Sequence, residues 1–174
     1  MRVIVCVITW YGGAMKKLRA MLFLFFLLPA IAHAAPHRVV DVADGDTVTI
    51  EPVHGGARAK VRLHGIDCPE MGQPYGQAAK AFVVKTALYK TVDVQVTPQG
   101  KDRYGRVVAV IEIPGVGILQ ELLLEDGLAW VWPQYCKDCK AWEAMQAKAK
   151  AQGKGLWAGE KPIEPWLWRK AKKK

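Results

Sequence analysis

The chain is short of the features that would mark several common classes of small protein. It has four cysteines in 174 residues, and no second Cys/His pair stands at zinc-finger distance from Cys136-x-x-Cys139, which excludes a zinc module of that type. No internal repeat is visible, which sets aside repeat architectures. Acidic residues are outnumbered, 16 against 25 basic ones, for a net charge of +9. Asp44-Gly45-Asp46 lacks the third acidic position and the distant Glu of an EF-hand. The longest apolar run, Met21 to Leu28, falls short of the roughly 20 residues that a spanning helix needs.

That run follows a basic stretch, Met15-Lys16-Lys17-Leu18-Arg19, and leads through Pro29 and Ala30 to the small-x-small pattern Ala32-His33-Ala34. The order reads as a cleaved secretory signal over residues 1–34 rather than a retained anchor. Residues 1–14 precede the pattern, and Met15 is a candidate initiator. An exported protein, periplasmic or secreted, is expected, with no stable membrane association after cleavage. From Ala35 onward about 140 residues remain, a size suited to one domain with its own core. Loss of Arg2, Lys16, Lys17 and Arg19 lowers the charge to about +5. Such a charge suits a polyanionic partner, and equally plain solubility. Three cysteines then remain, Cys68, Cys136 and Cys139. The odd count leaves one thiol outside any intramolecular disulfide, and the pairing is open. A structural disulfide is a better reading of the C-x-x-C pair than a redox centre.

The hydrophobic pattern opens as strand. Arg38 to Val42 and Thr47 to Ile50 flank the Asp-Gly-Asp turn, and Ala59 to Ile66 alternates with Val61 and Leu63 on one face. Arg62 and His64 then point away from the core side. Helical spacing runs from Gly76 to about Tyr89, with Ala79, Phe82 and Val83 on the stripe. Thr91 to Val96 and Gly105 to Ile113 return to strand. Leu119 to Asp126 reads as a short helix ending at Gly127, and Asp138 to Gln152 as the last. An α+β, mainly β fold follows: a five-stranded OB-type barrel with three helices over residues 35–160, with a split α+β sandwich as the alternative. Residues 161–174 read as a Trp-anchored extension with a basic tail. Its tryptophans pack and its lysines are solvated, or weakly attract phosphate.

Three clusters carry chemistry: Asp44-Gly45-Asp46-Thr47, Arg62 with Asp67-Cys68-Pro69-Glu70, and Asp102-Arg103-Tyr104-Gly105-Arg106. Singly, each suits an ordinary turn, since Asp-Gly favours hairpins and Pro69 holds Cys68 extended. Jointly they place carboxylates suited to a hard cation beside guanidiniums whose planar fork matches phosphate. All lie at strand edges, where loops converge on ligands. In this reading Asp67 is a metal ligand, Glu70 a nearby base and Arg62 a phosphate clamp.

Asp-Gly-Asp-Thr, Arg-x4-Asp-x-Pro-Glu, Tyr75-Gly76 before a helix, Asp-Arg-Tyr-Gly-Arg and Leu122-x4-Gly127-Leu128-Ala129 occur in one order. From about Arg38 to Trp157 this pattern resembles the staphylococcal nuclease (thermonuclease) family. The Gly155-Leu156-Trp157 and Pro165-Trp166-x-Trp168-Arg169 ending is similar to many exported bacterial members. The resemblance implies a calcium ion held by Asp46 and Asp67 with the Cys68 backbone carbonyl, Cys68 standing where threonine is common. It implies Glu70 as general base, with Arg62 and Arg106 clamping phosphate. Tyr104, beside Arg103, lies where the family contacts the substrate, and Asp44 lies near the metal without ligating it. The aromatic that packs near the nucleotide falls in a divergent stretch, where Tyr135 is the candidate. The implied activity is calcium-dependent hydrolysis of DNA and RNA to 3′-phosphate products, with single-stranded or frayed substrate preferred, by an expected monomer. A non-catalytic nucleic-acid-binding barrel is the alternative.

Overall fold

The structure is a computed structural model and describes residues 35–159 and 161–172. The expected signal segment, residues 1–34, lies outside them, as do Glu160, Lys173 and Lys174.

Period-two runs rich in β-branched residues produce the strands. β1 (His37–Val42), β2 (Thr47–Pro52) and β3 (Ala59–Leu63) form an antiparallel meander. A register shift in β1 between Val39 and Asp41 bends its end toward the Asp44–Asp46 turn, as bulges do. β5 (Thr91–Lys101) pairs with β1 on one side and β6 (Val107–Ile113) on the other. A parallel pairing of β3 with β6, Arg62 opposite Val108, closes the ring. The five-stranded OB-type barrel is therefore present. Two-residue strands add to it: β7 (Gly117–Ile118) extends β6, while β4 (Ile66–Asp67) pairs with β8 (Trp130–Val131) in a separate ladder.

Barrel-facing Val39, Val48, Val61, Leu63 and Ile111 are almost fully buried and form one core with residues of three helices. α1 (Gly76–Ala87) contributes Ala79, Val83 and Ala87. α2 (Leu119–Glu125) contributes Leu119, Leu123 and Leu124. Its buried Gln120 accepts from the Ile111 N–H at 3.3 Å and donates to the Ala109 carbonyl at 3.0 Å, so the polar group costs little. α3 (Lys140–Ala151) is tied to α2 by Trp142 Nε1 donating to Glu121 Oε1 at 3.0 Å.

The structure departs from the sequence reading in two places and settles one pairing that the sequence left open. There are four α-helices among the described residues, not three. The fourth, α4 (Pro165–Ala171), starts with proline at its first turn, where a missing N–H costs nothing. Trp166 stacks on Trp132 at 6.0 Å and 9°, which docks the helix. Arg62 lies off the apolar face, as alternation requires, yet it is only 9% exposed. The loops around β4 cover that side of the strand. Cys136 and Cys139 form a disulfide with Cα atoms 5.4 Å apart, and Cys68 is a free, buried thiol.

Candidate active site

The site grows from the β1–β2 turn. The Asp46 N–H donates to Asp44 Oδ1 at 3.0 Å, the local bond by which aspartate stabilises a turn. Gly45 between them is required by packing: a Cβ there would stand 2.7 Å from Ala79 Cβ and 2.8 Å from Cys68 Cβ. The turn can thus press against α1 and the Cys68 loop. Asp46, 7% exposed, accepts the Cys68 N–H at 2.8 Å and Thr47 Oγ1 at 3.2 Å.

Arg62 crosslinks the first two clusters. Its Nη2 contacts Asp46 Oδ2 at 3.1 Å and Asp67 Oδ1 at 2.7 Å. Its Nη1 donates to the carbonyls of Leu63 and Ile66, both at 3.0 Å. The guanidinium expected to clamp phosphate is therefore committed mostly to the protein, holding two carboxylates against a single nitrogen. Asp67 is 1% exposed and sits in β4, opposite Trp130 of β8. Beyond Pro69, Glu70 lies at the rim, with its side chain 41% exposed. The chain turns sharply after it: the Gln73 N–H donates to the Glu70 carbonyl at 2.8 Å, and a Cβ on Gly76 would collide with that carbonyl.

The third cluster joins β5 to β6. Asp102 Oδ1 accepts the N–H groups of Tyr104 and Arg106 at 2.9 and 3.0 Å, and Oδ2 accepts Arg106 Nε at 2.7 Å. Thr47 Oγ1 accepts Arg106 Nη1 at 3.4 Å, so one hydroxyl bridges the first and third clusters. Tyr104 is 68% exposed, with the guanidiniums of Arg103 and Arg106 over its ring at 4.9 and 5.4 Å.

Nearly all the expected residues line one cavity of about 480 Å³. Asp44, Asp46, Arg62, Asp67, Cys68 and Glu70 are on one side, and Arg103, Tyr104 and Arg106 on the other. The size falls within the roughly 300–1,000 Å³ of ligand clefts. Tyr135 is the exception. It lies on an adjoining cavity of about 210 Å³, which shares Arg62, the Arg103–Arg106 wall and Trp132, and its ring meets Trp132 edge-on at 4.6 Å.

Residues not singled out from sequence complete the wall. Trp132, Trp166, Arg169 and Lys170 line the main cavity. Arg169 Nη2 contacts Asp67 Oδ2 at 2.7 Å, and its Nη1 contacts Glu70 Oε1 at 2.7 Å. Buried Gln73 donates from Nε2 to the Ile163 carbonyl at 2.6 Å and accepts the Glu70 N–H from Oε1 at 3.2 Å, tying the Glu70 loop to the segment that leads into α4. The signal available for Arg169 was a basic residue beside two spaced tryptophans, which read as an anchor.

Electrostatics follow from burial. Burial pushes the carboxyls of Asp46 and Asp67 above the usual range; Arg62 opposes it at Asp46, and at Asp67 the bond from Arg169 opposes it first and Arg62 next. Asp44 is raised by burial and by the neighbouring Asp46 charge. Burial, reinforced by the charge on Asp46, also pushes the Cys68 thiol well up, so it is an inert packing group. At Asp102 burial acts upward but is outweighed by bonds from Arg106 and the Tyr104 N–H, which hold it below the usual range.

Among the described residues no three His, Cys, Asp or Glu side chains converge as a ready cage for a metal ion. The donor chemistry nonetheless fits a hard divalent cation. Asp44, Asp46, Asp67 and Glu70 bring four carboxylates to one cavity, with Arg62 and Arg169 as ion-pair partners and Arg103, Arg106 and Lys170 elsewhere on its lining. Clustered carboxylate oxygens are what such ions select.

Residues 60–159 match the family model described as staphylococcal nuclease homologue. The chain belongs to the staphylococcal nuclease family. Its similarity to other members extends over most of its length. An "Uncharacterized endonuclease" of Haemophilus influenzae is 38% identical over 157 residues, covering 90% of this chain and 85% of that one. One of the same description from Escherichia coli is 34% identical over 158 residues, covering 91% and 100%. A "Micrococcal nuclease" of Shigella flexneri is 32% identical over 173 residues, covering 92% and 97%. The family match spans β3 through α3 and so contains Arg62, Asp67, Glu70 and Arg106. Arg169 and α4 lie beyond it.

Proposed function

We propose that this member of the staphylococcal nuclease family is an exported, calcium-dependent nuclease that hydrolyses phosphodiester bonds of DNA and RNA and leaves 3′-phosphate ends. One observation carries the reading: buried Asp46 and Asp67 are held together by Arg62, facing Arg106 and Tyr104 across a single cavity. Asp46 and Asp67, with the Cys68 backbone carbonyl, would hold the ion. A calcium ion bound there supplies neutralisation of phosphate charge and a coordination site for substrate oxygen.

The chain's own groups divide the remaining work. Glu70, at the rim and partly exposed, takes the proton from an attacking water as general base. Arg106, anchored through Nε by Asp102, presents its outer nitrogens to the negative charge that develops on phosphate oxygens, an oxyanion-type role. Arg62 holds the metal carboxylates and offers phosphate only what those bonds leave over. Arg103 and Tyr104 form the exposed edge against which a strand can lie. Contacts of this kind address backbone and carry little base information, so sequence preference is slight and single or frayed strands react best. The protein acts as a monomer in the periplasm or outside the cell.

The test is nicking of plasmid DNA by purified protein with calcium or with a chelator, followed by end-group analysis. Calcium-dependent cleavage to 3′-phosphate ends is expected. Cleavage that persists under chelation overturns the metal assignment, and nucleic-acid retention without cleavage indicates an inert binding barrel.

A further inference from the structure

Of the site residues that follow the family match in the chain, Arg169 is the most heavily bonded. It comes from α4, about a hundred residues beyond the carboxylates it meets. Its Nη2 and Nη1 stand 2.7 and 3.2 Å from the two oxygens of Asp67, and Nη1 also reaches Glu70 Oε1 at 2.7 Å. This is the bidentate fork-on-carboxylate geometry, the strongest form of such a pair. The guanidinium is held from behind as well, 5.3 Å from the Trp132 ring on which Trp166 stacks. Proline at the start of α4 and the bond from Gln73 to the Ile163 carbonyl fix where the helix begins. Arg169 is therefore delivered to Asp67 and Glu70 by a docked helix and is not a loose surface side chain.

Those two carboxylates are the proposed metal ligand and the proposed base. Neither oxygen of Asp67 is free of a guanidinium contact: Arg62 and Arg169 share Oδ1, and Arg169 takes Oδ2. Three of the roughly four lone-pair positions of Asp67 are thus taken, so a cation that ligates Asp67 competes with these guanidiniums for the carboxylate in both charge and space. Arg62 is anchored on four sides and 9% exposed, whereas the Arg169 side chain is 35% exposed and borders the cavity. Arg169 is the one free to yield.

We infer that Arg169 is an internal cation of the active site, a guanidinium that occupies Asp67 and Glu70 until a divalent cation displaces it, and that thereby sets the protein's affinity for the metal. The inference rests on the metal reading given above. Since the two cations share ligands, binding of either weakens the other by the same factor. Displacement also frees Glu70 to act on water, so metal binding and release of the base are one event. Arg169, once displaced, stays at the cavity wall beside Lys170 and faces incoming phosphate.

The test is calcium binding measured by titration calorimetry, without substrate, on wild type, Arg169→Gln and Lys170→Gln. Lys170 borders the same cavity but makes no ion pair with Asp67 or Glu70, so its variant removes equal charge without removing the competitor. Arg169→Gln is expected to bind calcium about tenfold more tightly than wild type, and Lys170→Gln less than about threefold more tightly, each converted from the free energy of a charge-assisted bond set against a distant charge. Arg169→Lys, which keeps the charge and loses the fork, is expected between wild type and Gln, and serves if the Gln variant melts early. Equal tightening in the Arg169 and Lys170 variants, or weaker binding when Arg169 is lost, overturns the inference while the metal site stands. No calcium binding by any of the proteins overturns the metal reading and this inference with it.

Discussion

Arg62 gives the most exacting test of the site's construction. Replacing it with methionine keeps the apolar stem and removes the guanidinium. Four bonds go at once, to Asp46, Asp67 and the carbonyls of Leu63 and Ile66. Removing one partner of a buried pair costs about 3–5 kcal/mol, because the other charge stays buried. Arg169 still contacts Asp67, so the lower end, about 3 kcal/mol, applies. For a domain of this size that is a fall in Tm of roughly 6–12 °C. The pH dependence has a definite sign. Burial raises the folded-state values of Asp46 and Asp67 while Arg62 lowers them, so losing Arg62 raises them further. The folded variant then binds protons that the unfolded chain releases near pH 4, and its stability increases as pH falls. Thermal melts by circular dichroism at pH 8 and pH 5 measure both effects. The deficit is expected to be larger at pH 8. A fall of less than about 2 °C, or a deficit that widens in acid, refutes the picture of Arg62 as the clamp on two buried carboxylates.

Two further perturbations probe the walls. Gly45→Ala places a methyl within 3 Å of Ala79 and Cys68; overpacking of this kind costs about 1–3 kcal/mol, and the melt of the variant should fall with it, an unchanged Tm meaning that the turn has room. Asp102→Asn loses the charge that anchors Arg106 Nε at 2.7 Å. Because the folded-state value of Asp102 lies below the ordinary carboxylate range, its stabilising contribution is present above about pH 4 and disappears as pH drops through the folded value. Wild type and variant should therefore differ at pH 7, with a gap that narrows in paired melts as pH is taken below about 4; a gap that does not narrow contradicts the pairing.

The barrel was legible because its strands obey a two-residue period and its helices a 3.6-residue one, and both periods follow from burying one face. The Asp44–Asp46 turn, the Asp67–Glu70 loop and the Asp102–Arg106 loop were legible as clusters, each contiguous in sequence and set at a strand edge. Alternation placed Arg62 off the apolar face, but it cannot say that a loop covers that side, so the depth of its burial was hidden. Arg169 and Trp132 were hidden for a related reason. Arg169 reaches the site through the docking of α4, and Trp132 through the pairing of β8 with β4, both contacts between segments far apart in the chain. The fate of the cysteines needed coordinates as well: Cys68 is sealed between Gly45 and the core, and Cys136 and Cys139 close a local disulfide. The Asp67–Glu70 loop is consequently not crosslinked.

The central claim is that the buried acids and the rim carboxylate form one hydrolytic site. The most direct measurement compares plasmid cleavage in calcium by wild type and Glu70→Gln, with circular dichroism recorded on both. A loss of about 10²–10⁴-fold in turnover, with the spectra superimposable, is the predicted result. Near-normal cleavage by a folded Glu70→Gln protein would contradict it.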